Sequence, residues 1–283
     1  MAEPAFALTE VREALAEDRA TEDVTTRLLG AAADGPAVAR FIAEAPCVIA
    51  GLQVATTVFR ELDREAHLEA APGIRDGSQV KAGTVFATVR GRAGALLAGE
   101  RVALNFLQRL SGIATLTRQA VDAVAGTRAK ITHTRKTTPG LRALELYAVR
   151  AGGGVENRVS LADAVLWKDN HWALLERDGQ GKTLADLLRS APAVPVIVEV
   201  ENETQLEAAL AAGVSHLLID NQSPERLASW ARRVGGGPKV TIQASGGITS
   251  ANARAYAEAG ATLIAIGALT HSAPAIPIRC DLS

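Results

Sequence analysis

The chain has 283 residues, 48% of them hydrophobic and 22% charged, with a formal net charge of -1; such a composition builds a sizeable core and lacks the marks of disordered or low-complexity chains. The near-neutral balance, with pI ≈ 6.5, excludes the broad basic face of a nucleic-acid-binding protein, so cationic clusters are expected to be local and aimed at small anions. Apolar stretches such as 37–52 are broken by Arg40 and Glu44, the first residues carry Glu3 and Glu10 instead of a basic-then-apolar leader, and Cys47 and Cys280 are too few for a disulfide framework; a soluble, cytoplasmic protein without membrane or nucleic-acid partners is expected.

In chain order, apolar spacing predicts helices over Leu8–Ala16 and Gly51–Leu62, and β-rich runs predict strands over Val38–Ile49 and Val80–Val89, with a turn at Asp76-Gly77. These elements suggest an N-terminal α+β domain. Leu97, Val102, Leu104, Phe106, Leu107 and Leu110 predict a long helix within 96–125 that joins two domains. Boundaries are placed at 1–115, 116–270 and 271–283, the last segment returning to the N-terminal domain. Beyond the long helix, predicted strands end near Arg135, Trp167, Val200, Asp220, Ala244 and Gly267, with helices such as Glu203–Ala212 and Ala251–Ala259 between neighbours. Repeated βα units imply a parallel sheet with right-handed crossovers, and their unbroken recurrence favours a closed α/β barrel over an open sheet.

Polar residues collect where those strands end. Arg135 and Lys136, Lys168 and Asp169, Glu199, Asp220, Ser245-Gly246-Gly247 and Gly267 each follow a different predicted strand, and that end of an α/β barrel holds the active site. One charged residue after a strand is ordinarily solvated loop; their recurrence after six strands points to a shared pocket. Arg135, Lys136 and Lys168, with Arg101 and Arg158, suit phosphates and carboxylates. Glu199 and Asp220 suit Mg²⁺ or sugar hydroxyls, because a hard cation takes oxygen ligands and neutralises a leaving pyrophosphate. Ser245-Gly246-Gly247, followed by a predicted helix, and Gly267-Ala268 could bring backbone N–H groups to a phosphate, although a lone Ser-Gly-Gly also suits a plain tight turn. Gly152-Gly153-Gly154 reads as a loop or helix cap. His133 and His171 have no metal-spaced partner, so zinc is not expected, and no nucleophile elbow or P-loop occurs.

Several runs resemble the quinolinate phosphoribosyltransferase family. They are Thr134-Arg-Lys-Thr-Thr-Pro-Gly-Leu-Arg142, Tyr147-Ala-Val-Arg-Ala-Gly-Gly-Gly154 and Asp163-Ala-Val-Leu-Trp-Lys-Asp-Asn-His171, joined by Glu22-Asp-Val-Thr-Thr26, the run from Glu100 to Thr115, Val198-Glu-Val-Glu-Asn202, Leu218-Ile-Asp-Asn221 and Gly267-Ala-Leu-Thr-His-Ser272. The resemblance implies an α/β barrel beside an N-terminal open sandwich, in a homodimer. The implied reaction joins quinolinate to phosphoribosyl pyrophosphate, giving nicotinate mononucleotide, carbon dioxide and pyrophosphate. Carried over by motif, Arg101, Arg135, Lys136 and Arg158 hold the dicarboxylate, with Arg101 reaching in from the neighbouring subunit; Asn157, at a position where the motif differs, is a further substrate-binding candidate. Lys136, Lys168, Glu199 and Asp220 are the implied catalytic residues. Lys168, Ser245, Gly246, Gly247, Gly267 and Ala268 hold phosphate, and Glu199 and Asp220 hold Mg²⁺.

The family pattern has Asn-His-Arg after the glycine triplet, whereas this chain has Glu156-Asn157-Arg158. A glutamate about 5 Å from a substrate carboxylate costs on the order of 3 kcal/mol at an effective dielectric of 20, unless it turns away. Ser160 stands for a usual glycine, Trp167 for an aliphatic residue and Ile197 for a glutamate. Two acceptors stay open at this point: quinolinate, with Asn157 supplying the missing hydrogen bond, or a different nitrogen-ring carboxylate. The rival classes are a Schiff-base aldolase using Lys168 and a non-catalytic relative associated with molybdenum transport.

Overall fold

The computed structural model describes residues 5–178, 181–235 and 240–283. Its strands are β1 (Pro36–Ala43), β2 (Cys47–Val48), β3 (His67–Ala70), β4 (Gln79–Val80), β5 (Val85–Arg92), β6 (Lys130–Thr132), β7 (Val165–Trp167), β8 (Val196–Val200), β9 (His216–Asp220), β10 (Thr241–Ser245), β11 (Leu263–Ala265) and β12 (Ile278–Leu282). The chain divides into two compact units, one of residues 1–118, 137–153 and 269–283, the other of 119–136 and 154–268. Residues 137–153, which the sequence reading ran into the barrel domain, group with the first unit.

The first unit carries an antiparallel sheet in the order β12-β1-β5-β3, with β2 and β4 paired separately. Two predicted strands are each divided. The run 38–49 splits into β1 and β2 around Pro46, which has no N–H to give a ladder, and the run 80–89 splits into β4 and β5 around Gly83, whose φ of 82° makes a turn. Strand β3 went unpredicted because its residues alternate only between exposed and half-buried. Helix Leu52–Leu62 buries Val54, Ala55, Val58 and Phe59, a helical stripe. Phe59 meets Phe41 of β1 at 6.0 Å between ring centroids, and Phe41 meets Phe86 of β5 at 6.2 Å; burying each ring contributes about 2–3 kcal/mol. The predicted long helix spans Ala93–Ala123. Its Ser111 and Thr115 hydroxyls accept the N–H groups of Ala50 and Val48, at 3.1 and 2.9 Å.

Glu145, on helix Arg142–Ala151, is fully buried in this unit. It is met by Arg109 at 2.6 Å and accepts from the Thr138 N–H at 3.1 Å and the Thr138 hydroxyl at 2.8 Å. That set of donors is what allows a carboxylate to stay inside. The same helix ends at Gly152 and Gly153, whose φ of 92° marks a left-handed cap, so the glycine triplet ends a helix.

The second unit is a parallel sheet in the order β6-β11-β10-β9-β8-β7. Val198, Leu217, Ile219, Ala244 and Ile264 are at most 1% exposed, giving the near-continuous apolar strands of a sheet covered on both faces. The α/β architecture matches the expectation. Among the described residues the ladder does not close between β6 and β7; Val155 instead makes a single parallel bridge to Thr132 of β6. Helices Glu203–Ala211 and Pro224–Val234 start at Asn202 and Ser223, whose side chains accept the N–H of Gln205 and Arg226, ordinary N-caps that stop each strand-to-helix loop early.

Candidate active site

Because the six strands are parallel, their C-terminal ends open on one side of the sheet, and a cavity of about 480 Å³ lies there. Arg135 and Lys136 reach it from beyond β6, Lys168 and Asp169 from the end of β7, Glu199 from β8, Asp220 from β9 and Ser245 from β10. Asn157 and Arg158 complete the wall. Lys136, Lys168, Glu199 and Asp220 are thus brought together, and the volume is that of a small-molecule site.

On the cationic side, Arg158 is held by its own loop. Its Nε donates to the Ser160 carbonyl at 2.9 Å and its backbone N–H to Asn157 Oδ1 at 2.8 Å. Asp163 fixes that loop by accepting from the backbone of Val159 and Ser160 and from the Ser160 hydroxyl, at 3.0, 2.8 and 2.7 Å. Ser160 therefore supplies an anchor that a glycine would lack. Burial, then repulsion from Arg135, lowers the Arg158 pKa. An anion between two such guanidiniums relieves their mutual repulsion. Glu156 is exposed and is not part of the cavity wall, whereas Asn157 is, so the repulsion the sequence suggested is avoided by orientation.

On the acidic side, oxygens of Glu199, Glu201 and Asp220 lie within 4.8 Å of one another. Burial, reinforced by Asp220 and Asp169 and opposed by Lys168, pushes the Glu199 carboxyl up to about 7. A carboxyl so raised gains from a bound cation. Glu201 had no place in the sequence reading; its position two residues beyond Glu199 on the same strand path was the available signal. The β7 end is packed by Trp167, whose ring lies 5.3 Å from His171 and 5.8 Å from Trp172, while Trp172 Nε1 donates to the Glu199 carbonyl at 3.0 Å. His171 Nδ1 accepts the Lys168 backbone N–H at 3.2 Å.

Of the two glycines after β10, Gly246 is required by space, whereas Gly247 has room for a Cβ but a left-handed φ of 61°. Gly246 has φ 90°, and a Cβ there would fall 2.1 Å from Asn221 Oδ1 and 2.7 Å from Asn221 N. The expected helix does not follow the loop directly: a turn in which Asn252 Oδ1 accepts the Thr249 N–H intervenes, and the helix starts at Ala253. The loop amides and the Ser245 hydroxyl, not a helix N-terminus, are the candidates to meet an anion there. Gly267 and Ala268 follow β11, Ala268 opening a four-residue helix, and Gly246, Gly247, Gly267 and Ala268 do not line the cavity. Arg101 is exposed on the long helix of the first unit and lines a groove of that unit.

Two inner histidines stand beside the site: His133, which the sequence shows only as lacking a metal-spaced partner, and His216, which it does not single out. His133, 1% exposed, accepts the Asn157 N–H through Nε2 at 3.3 Å and lies 3.4 Å from the Thr134 carbonyl through Nδ1. His216 pairs with Gln243, a cavity residue, at 2.7 Å. His216 opens β9 and His133 directly follows β6, positions that look like core in the sequence, and only coordinates show what they face.

Comparison with known proteins bears on this arrangement. Sequence-family models for the C-terminal and N-terminal domains of quinolinate phosphoribosyl transferase match residues 113–281 and 23–111. The chain is 41% identical to the nicotinate-nucleotide pyrophosphorylase (carboxylating) of Mycobacterium leprae over 281 residues, covering 96% of this chain and 95% of that protein. It is 38% identical to the probable nicotinate-nucleotide pyrophosphorylase (carboxylating) of Bacillus subtilis, over 94% of this chain and 90% of that protein. Its fold is similar to the crystal structure of NadC from Streptococcus pyogenes, with a TM-score of 0.90 and 34% identity, covering 100% of this chain and 99% of that one.

Proposed function

Because this chain belongs to the quinolinate phosphoribosyl transferase family, we propose that it transfers the phosphoribosyl group of phosphoribosyl pyrophosphate to the ring nitrogen of quinolinate, releasing pyrophosphate and carbon dioxide and leaving nicotinate mononucleotide. The observation that carries this reading is the cavity itself, where Arg135, Lys136, Arg158 and Lys168 face Glu199 and Asp220. A dicarboxylate needs the first group, and a ribosyl cation with its metal-bound pyrophosphate needs both.

In the reading we favour, Arg135, Asn157 and Arg158 hold the two ring carboxylates so that the nitrogen lone pair points at the ribosyl carbon. As the carbon–oxygen bond to pyrophosphate breaks, positive charge builds on the sugar, and Glu199 and Asp220 stabilise it. Lys136 and Lys168 meet the departing anion, and the loop from Ser245 through Gly247, with Gly267 and Ala268, holds the 5-phosphate. The alkylated nitrogen then acts as an electron sink: the bond to the adjacent carboxylate breaks, carbon dioxide leaves, and the ring carbon takes up a proton. Glu199, Glu201 and Asp220 offer the close set of oxygens that a hard cation prefers. Mg²⁺ held there would neutralise charge on the pyrophosphate as it leaves.

Arg101 is exposed, which suits a residue that completes the site of a second copy; a homodimer of this kind is part of the proposal. Among the described residues no helix is long and apolar enough to cross a membrane, and a cytoplasmic setting fits the proposed substrates. The test is pyrophosphate release and nucleotide mass from phosphoribosyl pyrophosphate with quinolinate, nicotinate or related rings, with and without Mg²⁺. Turnover that requires quinolinate and Mg²⁺ is expected. Turnover with another ring while quinolinate is inert overturns the acceptor assignment.

A further inference from the structure

Gln243 is an amide set in an apolar floor. It is 2% exposed, yet it lines the cavity beside Leu166, Ile197 and Leu218. Its side chain has one hydrogen bond among the described residues, with Oε1 2.7 Å from His216 Nε2. Burial lowers the His216 pKa, which favours the neutral ring. An amide oxygen can only accept, so His216 Nε2 carries the proton and donates to Gln243 Oε1, and the two amide N–H donors of Gln243 are turned away from it. Because Gln243 lines the cavity, a ligand that fills it strips water from these donors and must then give them a partner, so they are a socket for a ligand oxygen.

Register says which oxygen. Gln243 is aligned with Leu218, and Leu218 with Glu199, so Gln243 and Glu199 share one row of the sheet, on the order of 10 Å apart by strand spacing. Asp220 and Ser245 form the row above. A ligand anion beside Gln243 would share the cavity with the carboxylates of the two next strands, whereas a neutral hydroxyl can give its own proton to a carboxylate and take one from the amide. The cations that suit ring carboxylates lie elsewhere, beyond β6 and on the 157–158 loop. We propose that Gln243 binds a ribosyl hydroxyl oxygen of the phosphoribosyl donor through its amide N–H groups, with His216 as the positioning residue that fixes the amide's orientation. The proposal rests on the function given above.

The experiment is calorimetric binding of phosphoribosyl pyrophosphate with Mg²⁺, and separately of quinolinate, to the full chain and to four variants. Gln243→Met keeps the side-chain volume and removes the donors; it is expected to weaken phosphoribosyl pyrophosphate about tenfold while quinolinate changes less than about twofold. Gln243→Glu, an acceptor only, is expected to be weaker still. His216→Leu should raise the KM for phosphoribosyl pyrophosphate and leave the KM for quinolinate, and His216→Gln, which can donate from the same place, should restore it. The His216 pair tests the amide's orientation without altering the cavity floor. Undiminished binding in Gln243→Met, or wild-type affinity in Gln243→Glu, overturns the assignment of Gln243 alone. A wild-type chain that binds no phosphoribosyl pyrophosphate overturns the functional reading and this inference together.

Discussion

Glu199 offers a quantitative test of the acidic side of the cavity. Burial and its acidic neighbours place its carboxyl at about 7, so roughly nine-tenths of the chains carry it ionised at pH 8 and about one-tenth at pH 6. The sign follows from which form each partner selects: protons hold the neutral form below pH 7, while a divalent cation binds the ionised form and expels the proton. Mg²⁺ affinity in the absence of substrates should therefore fall about tenfold, or about 1.4 kcal/mol, between pH 8 and pH 6. Titration calorimetry in buffers of different ionisation enthalpy should also show about half a proton released per ion near pH 7. Glu199→Gln cannot titrate, so it should bind more weakly and lose this pH dependence. Equal affinity of the wild type at the two pH values, or an unchanged slope in Glu199→Gln, would refute the reasoning.

Other expectations concern separate parts of the molecule. Glu145→Leu removes a carboxylate at 0% exposure that is held by Arg109 and Thr138; a loss of about 2–4 kcal/mol is expected in urea unfolding, and an unchanged midpoint would show that the pair adds nothing. Glu156→Gln should leave the KM for quinolinate within about twofold, since this exposed side chain is outside the cavity wall; a tenfold fall in KM would mean that it faces the substrate after all. Lys136→Ala and Arg101→Ala should each cost at least about tenfold in turnover as separate proteins. Mixed in equal amounts, they should recover about a quarter of the wild-type activity, because in a two-fold dimer one heterodimer site keeps both residues. No recovery after confirmed subunit exchange removes Arg101 from the shared site.

Much of the site could be read from the chain because strand ends are visible as apolar runs that stop at a polar residue. Val196–Val200 and His216–Asp220 end where expected, and parallel packing then puts Glu199 and Asp220 in one cavity. What stayed hidden depends on neighbours distant in sequence. His216 and Gln243 are 27 residues apart and meet only because β9 and β10 are aligned; Glu145 is buried by Arg109, 36 residues away. Strand β3 was too short and too polar to declare itself. The displaced helix after Gly247 reflects a side-chain turn at Asn252 that competes with helix initiation.

The sheet order β12-β1-β5-β3 carries a consequence for biosynthesis. Ribosomes release β1 early, yet the neighbour on one of its sides, β12, lies far later in the chain, after every strand of the second unit. Until then Phe41 and Ile42 belong to an unprotected rim, a template for unwanted pairing between nascent chains. The first unit thus stays incomplete until the second has been made. Ser283 and Val38 exchange both backbone hydrogen bonds at the close of that seam, at 2.8 and 3.1 Å, so Ser283→Pro, which leaves no N–H to give, would undo the stitch that shuts the sheet.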